Sequence, residues 1–125
     1  MITKKTEYAI TALWKLASNT RNLTISKEIA QRQAIPPKYL PRIIVTLSQA
    51  GLLTSTRGYG GSLKLKQPAE EITLLSVIEA MQGKPQLFQC QSGHADCVNH
   101  PDCRLRSIYN QAQDALENVF NTTRL

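Results

Sequence analysis

Fourteen residues, CQSGHADCVNHPDC from Cys90 to Cys103, hold all three cysteines of the chain, both of its histidines and two aspartates. Thiolates, imidazoles and carboxylates bind metals and carry redox chemistry. The spacing is Cys90-x6-Cys97-x5-Cys103. It lacks the two short-spaced ligand pairs of a zinc finger, and it is not a Cys-x-x-Cys redox motif. An odd number of thiols also excludes a complete set of disulfides within one chain. Three separated thiolates can wrap a larger object. An iron–sulfur cluster is such an object, held chiefly by Cys thiolates, and three of them leave one coordination position for another donor.

Two other chemistries use the same side chains. Zinc could sit on the three cysteines and one histidine, His94 or His100, as a structural site. Free thiols could sense peroxide or form a reversible disulfide. Nucleophilic catalysis by Cys with His needs a pocket and an oxyanion element. The segment is rich in Gly, Asp and Asn and signals neither, so the chain is read as a non-enzyme.

The remaining residues must position that segment. The chain has 125 residues, the size of one domain that folds without disulfide staples. Its start, MITKKTEYAI, has no apolar secretory stretch. No apolar run approaches the roughly 18 residues that span a bilayer. These features predict a cytoplasmic protein with reduced thiols and no membrane partner. A net charge of +6 suits a polyanion, most often nucleic acid.

Hydrophobic spacing predicts a mainly α fold with a small β-hairpin wing. Residues 3–18 carry Ala9, Ile10, Ala12, Leu13, Leu16 and Ala17 on one helical face. A short helix follows, capped by Thr24 or Ser26, with Ile25, Ile29 and Ala30 inward. Ala34-Ile35-Pro36-Pro37 breaks it. The next helix is predicted from Pro37 or Lys38 to Ala50. Leu40, Ile43, Ile44 and Leu47 form its buried stripe, and Gly51 is its left-handed C-cap. In residues 52–66 two strands flank the tip Arg57-Gly58-Tyr59-Gly60-Gly61. Residues 73–82 and about 105–120 read as further helices. The chain thus divides into a winged helix-turn-helix over 1–83, a cysteine-rich cluster-binding loop over 84–104, and a dimerisation helix and tail over 105–125.

Helix, short helix, turn, helix, hairpin is the order of a winged helix-turn-helix. The outward face of its third helix is polar and basic, as entry into a major groove requires. An Arg at a glycine-rich tip suits a narrow minor groove. The candidate DNA contacts are Lys4, Lys27, Lys38, Tyr39, Arg42, Arg57, Gly58 and Tyr59. In the last helix Leu105, Ile108, Ala112, Ala115 and Val119 recur at alternating steps of three and four, an a/d seam. A homodimer through this seam would set two recognition helices on a pseudo-palindromic double-stranded operator.

The ordered motifs resemble those of the Rrf-type bacterial regulators, the family of IscR, NsrR and RirA, over nearly the whole length. TKKTEYAITALWKLA resembles the family's first helix, EIAQRQAIPPKYLPRII its helix-turn-helix, GLLTSTRGYGGSLKL its wing and TLLSVIEAMQG its following helix. The three-cysteine segment falls where the family's cluster loop falls. The resemblance implies a homodimeric transcription regulator, usually a repressor, whose DNA affinity depends on an iron–sulfur cluster, [2Fe–2S] or [4Fe–4S]. It matches Cys90, Cys97 and Cys103 to the cluster cysteines. It matches Lys38 and Tyr39 to recognition positions, and Arg57 to the wing Arg of the minor groove.

Two departures stand out. Some members carry a His three residues after the last cysteine, where this chain has Arg106, whose protonated guanidinium cannot coordinate iron. The first cysteine gap is six residues, where five is familiar in the family. In NsrR-like members an Asp of the first helix reaches the cluster of the partner subunit. The matching residue here is Glu7, which keeps the carboxylate and adds one methylene. Glu7, His94 and His100 are the candidates for the fourth ligand.

Overall fold

The computed structural model describes residues 2–18, 24–56, 61–86 and 104–125. Its first element is α1 (Lys4–Ser18), which buries Thr6, Ala9, Ala12, Leu13 and Leu16. These positions recur every three or four residues and make one continuous stripe. Strand β1 (Thr24–Ile25) leads directly into α2 (Ser26–Arg32), which buries Ile29 and Ala30. Ala34 ends the turn after α2 in a left-handed conformation, with φ of 53°. The amide of Ile35 donates to the Ala30 carbonyl at 2.9 Å across this turn.

The recognition-helix candidate, α3, spans Leu40–Gln49. It begins later than the sequence predicted. Pro37, Lys38 and Tyr39 form a turn ahead of it, in which the Tyr39 amide donates to the Pro36 carbonyl at 3.0 Å. Pro37 and Pro41 have no amide hydrogen to give, so regular helical bonding starts only beyond the first of them. Leu40, Ile43, Ile44 and Leu47 are all buried, as predicted. Gly51 has a φ of 77°. Its amide and that of Leu52 donate to the Ser48 and Leu47 carbonyls, at 3.1 and 3.0 Å, closing the helix with the expected left-handed cap.

Strands β2 (Leu53–Ser55) and β3 (Ser62–Leu65) form the predicted hairpin. The sheet has a third strand that the sequence reading missed. Its order is β1-β3-β2, all antiparallel, with Thr24 opposite Leu63 and Ser55 opposite Leu63 from the other side. Two residues are too few to show an alternation, and Thr24 read as a helix cap instead.

A 3-10 turn (Ala69–Glu71) precedes α4 (Leu74–Gln82), whose N-cap Thr73 accepts from the Ser76 amide at 3.1 Å. The last helix is α5 (Leu105–Thr122). One core joins α1, α2, α3, the sheet and α4, with Leu13, Leu40, Ile43, Leu47 and Ile72 all at 0 % exposure. Each such side chain stabilises the fold by about 1.5–3 kcal/mol relative to exposure. Helix α4 is the centre of the assembly, packing against α1, α3 and α5. No described helix is long and apolar enough to cross a membrane.

Candidate nucleic-acid interface and cysteine segment

The buried stripe of α3 fixes its opposite face toward solvent. Arg42, Val45 and Gln49 are exposed there and Thr46 is half-buried. The helix carries no acidic residue. This face therefore offers donors, one cation and one apolar side chain, with no carboxylate to repel phosphate.

At the start of α3 the structure brings together residues from two elements. The Lys38 ammonium lies 5.1 Å from the centre of the Tyr39 ring. The Tyr39 ring sits 5.6 Å from that of Tyr8 on α1, tilted by 39°. The Lys4 ammonium lies 5.5 Å from the Tyr8 ring centre and 3.4 Å from the Glu7 carboxylate. The result is a line of cation, ring, ring and cation that crosses from α1 to the α3 turn. Both rings rest partly on the core, so they hold the two lysines at the surface. Ammonium groups over ring faces are attracted to the ring quadrupole by about 0.5–1 kcal/mol at exposed sites.

Lys4, Lys38 and Tyr39 were candidates from sequence, and here they are neighbours. Tyr8 was missed, because nothing in the sequence near it points to a ring on another element. Arg42 is exposed on α3, and Lys27 is exposed in the first turn of α2. Arg57, Gly58 and Tyr59 lie outside the described residues. The strands that carry them are described. Thr56 and Ser62 close the ladder, the Thr56 amide donating to the Ser62 carbonyl at 3.0 Å and the Ser62 amide to Thr56 Oγ1 at 3.2 Å.

Cys90, Cys97, Cys103, His94 and His100 also lie outside the described residues. The chain on both sides of them is well anchored. Before them, Gln82 at the end of α4 accepts two hydrogen bonds from the start of α1. The Thr3 amide donates to its Oε1 at 3.0 Å, and the fully buried Thr6 hydroxyl donates to the same atom at 2.8 Å. Thr3 Oγ1 in turn accepts from the Thr6 amide at 3.1 Å, capping α1. Sequence reasoning missed this cluster, since polar residues so far apart leave no periodic signal.

Glu7 belongs to the same first turn of α1. Its carboxylate is exposed and engaged by Lys4. The turn that carries this candidate ligand is thus bonded to the helix that leads into the cysteine segment.

The second anchor lies on α5. Gln113, buried on that helix, donates from Nε2 to the Pro85 carbonyl, and to Glu117 Oε1 at 3.0 Å. The Lys84 ammonium pairs with the same Glu117 oxygen at 3.5 Å. A cleft lined by Lys84, Gln86, Arg106, Asn110, Gln113 and Asp114 runs between this stretch and α5. The end of α5 turns back onto the domain. The Leu74 amide donates to the Thr123 carbonyl at 3.0 Å, and the Leu125 amide to the Ile72 carbonyl at 3.1 Å.

The other face of α5 is open. Leu105, Ile108 and Val119 are 50, 58 and 57 % exposed, and Ala112 and Ala115 are exposed between them. The predicted dimer residues therefore share one uncovered apolar face.

Comparison with known proteins agrees with this architecture. The model of the Rrf2 family, described as an iron-dependent transcriptional regulator, matches residues 2–125. The protein rrf2 of Nitratidesulfovibrio vulgaris is 32% identical over 122 residues, covering 97% of this chain and 81% of that protein. The transcriptional regulator IscR of Vibrio atlanticus is 29% identical over 121 residues, covering 96% of this chain and 69% of that protein. Among solved structures, that of CymR, the global cysteine regulator of B. subtilis, superposes with a TM-score of 0.80 at 25% identity, covering 99% of this chain and 92% of that one.

Proposed function

The chain belongs to the Rrf2 family of DNA-binding transcription regulators, and on that premise we propose that it is a homodimeric repressor whose operator binding is switched by an iron–sulfur cluster. The observation that carries this reading is the double anchoring of the cysteine segment. Gln82 grips α1 just before it, and Pro85 is held by Gln113 of α5. A change of conformation between Gln86 and Arg104 is therefore felt at two places. One is the first turn of α1, which carries the Lys4–Tyr8–Tyr39–Lys38 line. The other is α5, which carries the apolar face.

The donor set suits the group. Cys90, Cys97 and Cys103 supply soft thiolates, the ligands that select such clusters. Glu7 of the partner subunit is the fourth ligand we favour, with His94 and His100 as its rivals. When bound, the cluster supplies a redox-active centre that iron supply, oxygen or nitric oxide can alter. The chain's own residues do the rest. Lys4, Lys38 and Arg42 neutralise phosphates, Arg57 enters the minor groove, and the α5 face fixes the separation of the two readers.

A second reading keeps the DNA-binding fold and uses the cysteines as free thiols that sense oxidant. The Lys4–Glu7 ion pair favours it, because it gives the Glu7 carboxylate a partner of its own.

Purification without oxygen separates the readings. We expect a brown protein with equal iron and acid-labile sulfide, and operator affinity that changes when the cluster is removed. A colourless protein that takes up no iron and sulfide, and whose DNA affinity follows thiol oxidation, establishes the second reading. A colourless protein with bound zinc makes the segment a structural staple.

A further inference from the structure

Val45 is 54 % exposed in the middle of α3. It is absent from the core and from the half-buried residues packed on it. Packing therefore does not account for it. Helix propensity does not either, because a β-branched side chain loses rotamer freedom in a helix and is a poorer choice there than Ala, Lys or Gln. Its neighbours on the helix surface are Arg42, Thr46 and Gln49. At about 100° per residue the four span an arc of roughly 100°, directly opposite the buried stripe. This is the arc that faces base edges when the helix enters a major groove.

Only one base presents an apolar group there. Thymine carries a methyl, and apolar side chains are what contact it. We propose that Val45 is a specificity residue that packs against the 5-methyl group of a thymine in each operator half-site. The inference rests on the DNA-binding reading and deepens it. Arg42 and Gln49, on either side, hold groups suited to guanine and adenine edges, so Val45 adds a preference that hydrogen bonding alone cannot express. Its two methyls displace water from the thymine methyl without a polar group left unpaired.

The test removes the methyl from the DNA. A duplex is selected by the full-length protein from a randomised pool. Each thymidine in it is then replaced in turn by deoxyuridine, and binding is read by fluorescence anisotropy with the wild-type chain and with Val45→Ala. The alanine variant favours the helix, so a folding defect is not expected, and circular dichroism checks it. The expected result is one thymine in each half-site whose loss of methyl weakens wild-type binding about fourfold, the worth of roughly one buried methyl. Val45→Ala loses a similar factor on the thymine duplex and is indifferent to uracil at that position. Uniform indifference of the wild type to uracil overturns the proposal, as does a sensitivity that persists in Val45→Ala. If the pool yields no preferred sequence, the DNA-reading function itself fails and this inference falls with it.

Discussion

Two residues set the finest scale of this protein. Gln82 takes two hydrogen bonds on one oxygen, from Thr3 and from the fully buried Thr6. Gln82→Ala removes both of these bonds, while the Thr6 hydroxyl keeps Thr3 Oγ1 at 2.8 Å, so the loss is that of two hydrogen bonds and not of an orphaned buried group. Unfolding in urea should show a loss of about 1–2 kcal/mol. If the clamp also transmits the state of the cysteine segment, the ratio of DNA affinities between cluster-loaded and cluster-free protein should shrink in the same variant. Arg57 is the second. It falls in the sequence between β2 and β3, outside the described residues, and Arg57→Ala should weaken operator binding by about 1–3 kcal/mol if it reads a groove. A lower salt slope in the same titration would add a phosphate contact. Unchanged affinity and slope would make it an ordinary turn residue.

At the scale of elements, the link between α2 and α3 sets how α3, the recognition-helix candidate, is presented. Ala34 holds a φ of 53° there, a conformation that crowds its Cβ against the following carbonyl. Glycine removes that crowding at some cost in chain entropy, so Ala34→Gly should raise stability by about 0.5 kcal/mol, read as a higher melting temperature. The same link shows how far the sequence could be read. The stripe Leu40, Ile43, Ile44 and Leu47 was plain, because burial repeats with the helix. The start of α3 was not. Two prolines four residues apart could both belong to a first turn, and only the tertiary fold shows that Pro37, Lys38 and Tyr39 form a separate turn. The Tyr8–Tyr39 stack and the Thr6–Gln82 bond were illegible for a related reason. They join elements, and periodicity within an element carries no record of its neighbours. The thiols and the basic residues restrict by type alone what they can bind, and the thiols lie outside the described residues.

At the scale of the molecule, the proposed homodimer uses the open face of α5. The helix is held on its other side by Gln113 and Glu117, so its exposed stripe is presented at a fixed angle. Ile108 is 58 % exposed in the single chain, and a charge there costs that chain little. In a dimer seam the same charge would be buried without a partner, at a cost of several kcal/mol. Ile108→Glu should therefore sediment as a monomer with its helical content retained, and it should bind a two-half-site operator far more weakly than the wild type. A dimer that survives the substitution would move the interface elsewhere.

The grip on α4 has a further consequence, for how the protein is made. The Thr3–Gln82 bond joins residues 79 positions apart, and Arg124 reaches back 54 positions to the Glu70 carbonyl. Contacts this distant in sequence carry a large loop-closure cost and slow folding. A chain emerging from the ribosome exposes α1, α2, α3 and the hairpin well before α4 is available to seat them. During that interval the apolar stripe of α1 lacks one of its principal partners. The winged-helix part therefore reaches its final packing only once the polypeptide has been synthesised to the edge of the cysteine segment, which makes its completion and the arrival of the three cysteines nearly one event.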